Sequence, residues 1–193
     1  MQKQWKGDFT FPDSDITFSN DFDGARLNGI VKNDDGSFTA LITSENTPVN
    51  MSPWYAFKVW SKTPRTIEVM LTYQEGSKHR YFPQLSTDGQ EWTPIDSTNY
   101  TEYEKGDADF GAGSLPIKVR LKLSVGASPL WVAGQELQTS NHVKAWIDEL
   151  CRKKFVTQRV IGKSNEGRNM NALTIGKEKE KQMVMVISRQ HPP

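Results

Sequence analysis

The chain has 193 residues, with 24 Lys and Arg against 23 Asp and Glu and a formal net charge of +1. This balance gives no electrostatic attraction for nucleic acid or for an anionic membrane surface, so we expect neither as a partner. The length suits one large or two small domains, and no apolar run approaches the roughly 20 residues of a membrane span.

The start of the chain and its cysteine content indicate the expected compartment. The first seven residues, Met-Gln-Lys-Gln-Trp-Lys-Gly, lack the apolar stretch of a secretory signal. The chain has one cysteine, which excludes an internal disulfide framework. We therefore expect a reduced, cytoplasmic setting.

Residues 16–133 carry short runs of alternating apolar and polar residues, separated by turn residues. The clearest run is 117–123, in which every second side chain is apolar and every intervening one is cationic. Such a run is typical of a strand with one buried and one solvated face. Two further stripes of this kind are Ile67, Val69, Leu71 and Tyr73, and Tyr55, Phe57 and Val59. Many short strands at this spacing predict an antiparallel β-sandwich.

Several Asp-Gly sequences lie between these runs. Asp34-Asp35-Gly36 separates the runs 29–31 and 38–42, and Asp88-Gly89 lies in a similar place, so both predict hairpin turns in which glycine supplies a positive φ. Asp21-Phe22-Asp23-Gly24 has some features of a calcium loop but lacks the third oxygen ligand and the distal glutamate. Capped turns explain these sequences better.

The apolar period changes after Gly134. Apolar side chains at i, i+3, i+4, i+7 and i+8 predict one amphipathic helix, with the stripe Val143, Trp146, Ile147, Leu150 and Cys151. Thr139 or Ser140 can cap its start, and the basic residues 152–154 complement the dipole at its end.

Three strands are predicted after this helix, at 155–161, 170–175 and 183–188. The last is apolar at nearly every position, as expected for a strand buried on both faces of an α/β sheet. We therefore predict a mainly β chain, with a β-sandwich domain at 1–134 and the beginning of an α/β domain at 135–193.

The remaining residue types have ordinary structural explanations. His79 lies between Lys78 and Arg80, and His142 lies in the first turn of the predicted helix, so both are expected at the surface. Cys151 is expected as a small core residue of the helix. The six tryptophans could stack on sugars, but we expect them to fill the sandwich core.

Three passages together resemble one enzyme family. Residues 161–168 (IGKSNEGR) are similar to a Gly-x-Ser-x-Glu-Gly-Arg hairpin, and residues 188–193 (SRQHPP) to an Ala-Arg-Gln-His-Pro-Gly-Glu zinc loop. Residues 81–92, with Ser86-Thr87-Asp88-Gly89, resemble a signature of the β-domain that precedes the catalytic domain. The family is that of the zinc metallocarboxypeptidases, in the branch of the cytosolic carboxypeptidases and their bacterial relatives. One departure is Pro193, where that family usually has glycine.

The resemblance implies a zinc-dependent hydrolase that removes residues from the C-termini of peptides or proteins. It implies that His191 is a zinc ligand, with a glutamate three residues later and a further histidine completing the set, and that zinc lowers the pKa of its bound water. The chain ends before that glutamate, so we expect an N-terminal portion, truncated within the His-x-x-Glu motif and inactive alone. Ser164, Glu166 and Arg168 are expected to form a tight hairpin rather than a catalytic cluster.

Two functional hypotheses remain at this stage. In the first, the β-sandwich packs beside the catalytic domain of the same carboxypeptidase, because residues 134–139 hold no long flexible tract. In the second, the sandwich is a non-catalytic binding module for protein or carbohydrate. The sequence that follows His191 in the longer protein distinguishes them.

Overall fold

The computed structural model describes residues 4–45, 53–107, 114–165, 167–176 and 184–186. The chain divides into two compact units, residues 1–137 and 138–192, which are described separately below. In the described part, no helix is both long and apolar enough to cross a membrane.

The elements in chain order are β1 (Asp8–Phe11), β2 (Ile16–Ser19), β3 (Gly29–Lys32), β4 (Phe38–Ile42), β5 (Ala56–Ser61), β6 (Arg65–Tyr73), β7 (Gln84–Ser86), β8 (Thr93–Pro94), a 3-10 helix (Ser97–Asn99), β9 (Tyr100–Asp107), β10 (Ser114–Val125), β11 (Leu130–Ala133), α1 (Ser140–Leu150), β12 (Val156–Lys163) and β13 (Asn169–Ile175).

The first unit is a sandwich of two sheets. Sheet 1 has six strands in the order β1-β2-β5-β11-β7-β8, and sheet 2 has five in the order β3-β4-β6-β10-β9. The prediction of a mainly β, antiparallel sandwich is confirmed, and the structure adds one parallel pair, in which Phe38 of β4 lies opposite Val69 of β6. The pair is parallel because β5, which separates these strands in the chain, lies in the other sheet. The chain therefore leaves sheet 2 and returns in the same direction.

The core lies between the two sheets and follows the period of two that the sequence predicts. Val119, Leu121 and Leu123 of β10 are fully buried, whereas Ile117 at the start of the same stripe is 38% exposed. Tyr55, Phe57, Val59, Val69 and Leu71 are also fully buried. Rings of Phe18, Phe38 and Phe57 pack together at the centre, with centroids 5.1–5.9 Å apart.

Turn chemistry fixes the hairpins of the sandwich. The turn between β3 and β4 closes with hydrogen bonds from Asn33 N to Ser37 O (2.8 Å) and from Gly36 N to Asn33 O (3.0 Å), and Gly36 has φ +82°. Asp88 accepts the amides of Gln90 and Glu91 between β7 and β8. Both predicted hairpins are therefore confirmed. The strands begin before residue 16, where the alternating runs of the sequence start, because β1 pairs with β2 along its whole length.

Charged side chains cover the outer face of sheet 2. Glu68 of β6 forms an ion pair with Arg120 of β10 (3.4 Å), and Lys118 of β10 pairs with Glu104 of β9 (2.5 Å). The guanidinium of Arg120 also lies 5.3 Å from the ring centroid of Tyr103. This face is solvated, as the cationic residues between the apolar ones predict.

The described part of the second unit contains one helix and one hairpin. Helix α1 is capped by Thr139, whose hydroxyl accepts the amide of His142, so the predicted N-cap is confirmed. The basic residues 152–154 follow the helix, and none lies in its last turn. β12 and β13 form a two-stranded antiparallel sheet that includes the strands predicted at 155–161 and 170–175.

The strand predicted at 183–188 is not formed in its described part. Val184, Met185 and Val186 belong to no strand and are 70–89% exposed, where burial on both faces was expected. The other residues of this segment lie outside the described residues. The described residues 138–176 offer no sheet for such a strand to join beyond the hairpin, because β12 and β13 pair only with each other.

Candidate functional site

The predicted zinc ligand, His191, lies outside the described residues, so its surroundings stay a prediction. Within the described part of the chain, no group of three His, Cys, Asp or Glu side chains could hold a metal ion. The donor chemistry of one imidazole suits zinc, but a catalytic zinc site takes three protein ligands. The described residues therefore do not form the site by themselves.

The tip of the β12–β13 hairpin is the part of the family-like sequence whose geometry the structure describes. Ser164 N donates to Arg168 O (2.9 Å), Gly167 N donates to Ser164 O (2.9 Å), and Arg168 N donates to the Ser164 hydroxyl (3.2 Å). Gly167 has φ +77°, a conformation that glycine adopts without strain. The prediction that Ser164 and Arg168 build a tight hairpin is confirmed; Glu166 lies outside the described residues.

Arg168 also connects the hairpin to the helix of the same unit. Its Nη1 donates to the hydroxyl of Ser140, the first residue of α1, at 2.5 Å. Cys151 at the other end of α1 lies 3.6 Å from the Gln158 side-chain oxygen on β12. Both contacts fix the hairpin against the helix, and they assign Arg168 a positioning role within this unit.

The amphipathic stripe of α1 is less buried than its pattern predicts. Ile147 is buried, whereas Val143 and Trp146 are 45% and 57% exposed, and Cys151 is half-buried rather than in a core. The hairpin is similarly exposed at Val160 and Ile161. The second unit thus shows large apolar side chains at its surface.

His79 is the site that the sequence reasoning missed. The expectation of a surface residue is wrong, because His79 is only 3% exposed. Its ring stacks on Tyr55 (centroids 5.9 Å apart, 26° between planes) and lies 5.8 Å from the rings of Tyr73 and Tyr100. We call the rings of Tyr55, Tyr73 and Tyr100 the tyrosine box.

Hydrogen bonds and burial define the chemistry of His79. Its Nδ1 lies 2.6 Å from the Tyr73 hydroxyl, and its backbone N–H donates to Pro116 O (2.8 Å). Nε2 is buried and has no hydrogen-bond partner among the described residues. Burial lowers the pKa of His79 from 6.5 to about 4, and the Glu102 carboxylate opposes this only in part. The ring is therefore neutral at pH 7.

The tyrosines of the box are held in their neutral form as well. Burial, reinforced by repulsion from neighbouring tyrosines, raises the pKa of Tyr55 and Tyr73 well above the usual value. Burial also raises the pKa of Tyr100, with a contribution from Glu102. The box is a neutral polar cluster at ordinary pH and has no ionised group that could act as a base.

The tryptophans do not fill the core, contrary to the expectation. Trp5 and Trp146 are exposed, and the other four are half-buried. Three of these, Trp54, Trp92 and Trp131, pack with Phe22 over Ala56 and Ala133 in a small separate cluster. The Lys58 ammonium lies 4.1 Å from the Trp131 ring centroid and 4.9 Å from that of Phe22. Phenylalanine and tyrosine occupy the core in their place.

The chain is similar to one curated protein and to several solved structures. No protein-family model matches the chain. An uncharacterised protein of Zymomonas mobilis is 23% identical over 176 residues, which cover 89% of this chain and 41% of that protein. The crystal structure of a metallo-carboxypeptidase from Burkholderia cenocepacia superposes with a TM-score of 0.64 at 13% identity, covering 86% of this chain and 41% of the other. A metallo-carboxypeptidase from Pseudomonas aeruginosa, in complex with (2-guanidinoethylmercapto)succinic acid, gives 0.57 at 17% identity.

These similarities define the fold class. The chain shares the fold of part of a metallo-carboxypeptidase chain, and it spans about 41% of the length of the relatives it matches. At 11–17% identity the solved structures show the fold and not the chemistry.

Proposed function

We propose that this chain is the N-terminal portion of a zinc-dependent metallocarboxypeptidase that hydrolyses C-terminal residues from peptides or proteins. The observation that carries the proposal is the structural similarity to the Burkholderia cenocepacia metallo-carboxypeptidase over 86% of the chain. The hairpin at 161–168 supports it, because the segment that resembles the family's motif forms the tight turn expected of it. We place the protein in the cytosolic-carboxypeptidase branch on the resemblance of residues 188–193.

His191 is the residue that we propose as a zinc ligand. Neutral imidazole is a common zinc donor, and bound zinc would supply a polarised carbonyl and an activated water in the longer protein. The resemblance implies that the other ligands follow Pro193 in the longer protein, so no catalytic step is assigned to residues of this chain. The domains proposed are 1–134 for the β-sandwich and 135–193 for the first part of the catalytic domain.

The experiment substitutes His191 in the full-length protein. We expect His191→Gln to reduce bound zinc, measured by elemental analysis, and to lower kcat/KM on a C-terminal reporter peptide by at least about 100-fold, because a ligand is lost. The matched control is His142→Gln, an exposed histidine whose replacement can still complete the helix capping box. The 193-residue chain serves as the inactive reference.

Three outcomes would contradict the proposal. Full zinc content with full activity in His191→Gln would exclude His191 as a ligand. An equal loss in His142→Gln would indicate damage to the second unit rather than to a metal site. Chelator-sensitive hydrolysis by the 193-residue chain alone would show that it is not an incomplete portion.

The packing of the β-sandwich in the longer protein, and the compartment of that protein, are also proposals. We propose that it packs against the catalytic domain of the same chain in a cytoplasmic protein, because the connecting residues 134–139 are short and the chain carries one cysteine. NMR relaxation of the full-length protein should give one rotational correlation time for both parts. Two distinct correlation times would show that they are tethered loosely.

A further inference from the structure

His79 holds the connection between β6 and β7, residues 74–83, between the two sheets of the sandwich. Tyr55 directly precedes β5 of sheet 1, whereas Tyr73 ends β6 and Tyr100 begins β9 of sheet 2. The imidazole contacts all three rings, and its backbone amide bonds to Pro116 on β10. His79 therefore contacts both sheets, and the connection is also held by hydrogen bonds from the Tyr55 hydroxyl to Tyr81 O (3.0 Å) and between the Ser44 and Ser77 hydroxyls (3.3 Å).

The surroundings of the ring favour its neutral form. Neutral imidazole can accept from the Tyr73 hydroxyl at Nδ1, which leaves Nε2 as a single buried and unpartnered atom among the described residues. In imidazolium Nδ1–H can still donate to the Tyr73 oxygen, but the ring then buries a positive charge while Nε2–H stays unpaired. Burying an unpaired charge costs much more free energy than burying a neutral group. Protonation therefore favours a conformation in which the ring is exposed to water.

Among the described residues, one carboxylate acts on the charge of His79. Glu102 on β9 is the carboxylate whose charge favours the protonated ring. It is already paired with Lys105 at 2.8 Å and accepts the Tyr100 hydroxyl at 3.2 Å. Lys78 and Arg80 flank His79 in the chain.

We propose that residues 74–83 form an acid-sensitive latch. The neutral ring of His79 holds the connection in the tyrosine box, and the protonated ring leaves the box and releases the connection while the rest of the sandwich stays folded. The burial of the ring, its orphaned Nε2 and the two-sheet attachment carry this inference. The depressed pKa of His79 agrees with it, because a shift from 6.5 to about 4 corresponds to a few-hundred-fold preference for the neutral ring in the closed state.

The test follows the backbone amide of His79 by hydrogen exchange in the 193-residue chain between pH 7 and pH 4. If the open state has an ordinary histidine pKa, acidification from about pH 6.5 to 4 lowers the protection factor of the His79 amide by up to about tenfold per pH unit. Above this range the protection factor should be constant. The amide should also exchange faster than the amides of β10 at every pH, because the latch opens without global unfolding. His79→Phe fills the box with a ring that does not titrate. In this variant the protection factor of the amide at position 79 should not depend on pH between 6.5 and 4.

Either of two results overturns the latch. One is a protection factor for the His79 amide that is constant between pH 6.5 and 4 in the wild-type chain. The other is exchange equal to that of β10 throughout, which would mean that the connection opens only with the whole sandwich. A ring-proton NMR titration gives an independent reading: a midpoint below 5 is expected, and a midpoint near 6.5 with an intact amide bond contradicts the proposal.

Discussion

At the scale of single residues, burial rather than residue type decides how much each side chain contributes to stability. Leu121 of β10 and Leu41 of β4 are the same residue type in the same sheet, yet Leu121 is fully buried and Leu41 is 43% exposed. They form a matched pair in which chemistry is constant and only the environment differs.

We predict that Leu121→Ala lowers the free energy of unfolding by about 2–5 kcal/mol, because it removes buried methyl groups and leaves a cavity. Leu41→Ala should cost below about 1 kcal/mol, since a large part of the side chain is already in contact with water. Urea denaturation followed by circular dichroism measures both. Equal losses in the two variants would show that the outer face of β4 is covered in solution.

The residue scale is also where the sequence reasoning failed most clearly. The basic neighbours Lys78 and Arg80 indicate a surface loop, but the burial of His79 depends on three tyrosines that come from separate strands. No local pattern contains that information. A clue was available in Tyr55 and Tyr73, which continue buried stripes with a polar end that needs a partner.

At the scale of elements, strands with one buried face were predictable, because the period of two records the burial directly. β6 and β10 lie where the stripes 67–73 and 117–123 place them. The pairing of β4 with β6 was not predictable, since a parallel neighbour leaves no turn signature in the sequence. In the second unit the helix and the hairpin lie where the sequence predicts them, but their apolar faces are exposed, which the pattern does not predict.

We predict that the β12–β13 hairpin exchanges its amide hydrogens much faster than β10 in the 193-residue chain. A two-stranded sheet is at best marginally stable, and apolar residues such as Val160, Ile161 and Met170 are at least half exposed. Hydrogen exchange read by NMR at pH 7 compares amides of 156–163 with those of 117–123. Equal protection in a monomeric sample would show that the second unit folds by itself.

At the scale of the whole molecule, the sandwich contains the main core within residues 16–132, with its flanking strands in the same unit. The candidate zinc site could be proposed only by resemblance, since a metal site is defined by residues distant in sequence and the resemblance implies one of them, His191. The comparisons do not favour the alternative of a non-catalytic binding module, which remains a hypothesis.

We predict that a fragment of residues 1–137 folds on its own, because it contains both sheets and their complete ladders among the described strands. Its thermal unfolding should be cooperative, with a midpoint within a few degrees of that for the sandwich transition of the 193-residue chain. Differential scanning calorimetry of both proteins makes the comparison. A broad or absent transition in the fragment would mean that residues 138–193 are required for the sandwich.

The position of β11 has a consequence for biosynthesis. This strand, Leu130–Ala133, is the last of the sandwich to leave the ribosome, yet it lies between β5 and β7 in sheet 1. Until it emerges, β5 and β7 have no common neighbour and each keeps an open edge. Pairings that join residues so far apart in the chain close slowly. The nascent protein therefore passes through a period in which most of its core residues are already synthesised but sheet 1 is incomplete, and during this interval apolar surface and open strand edges are exposed to association.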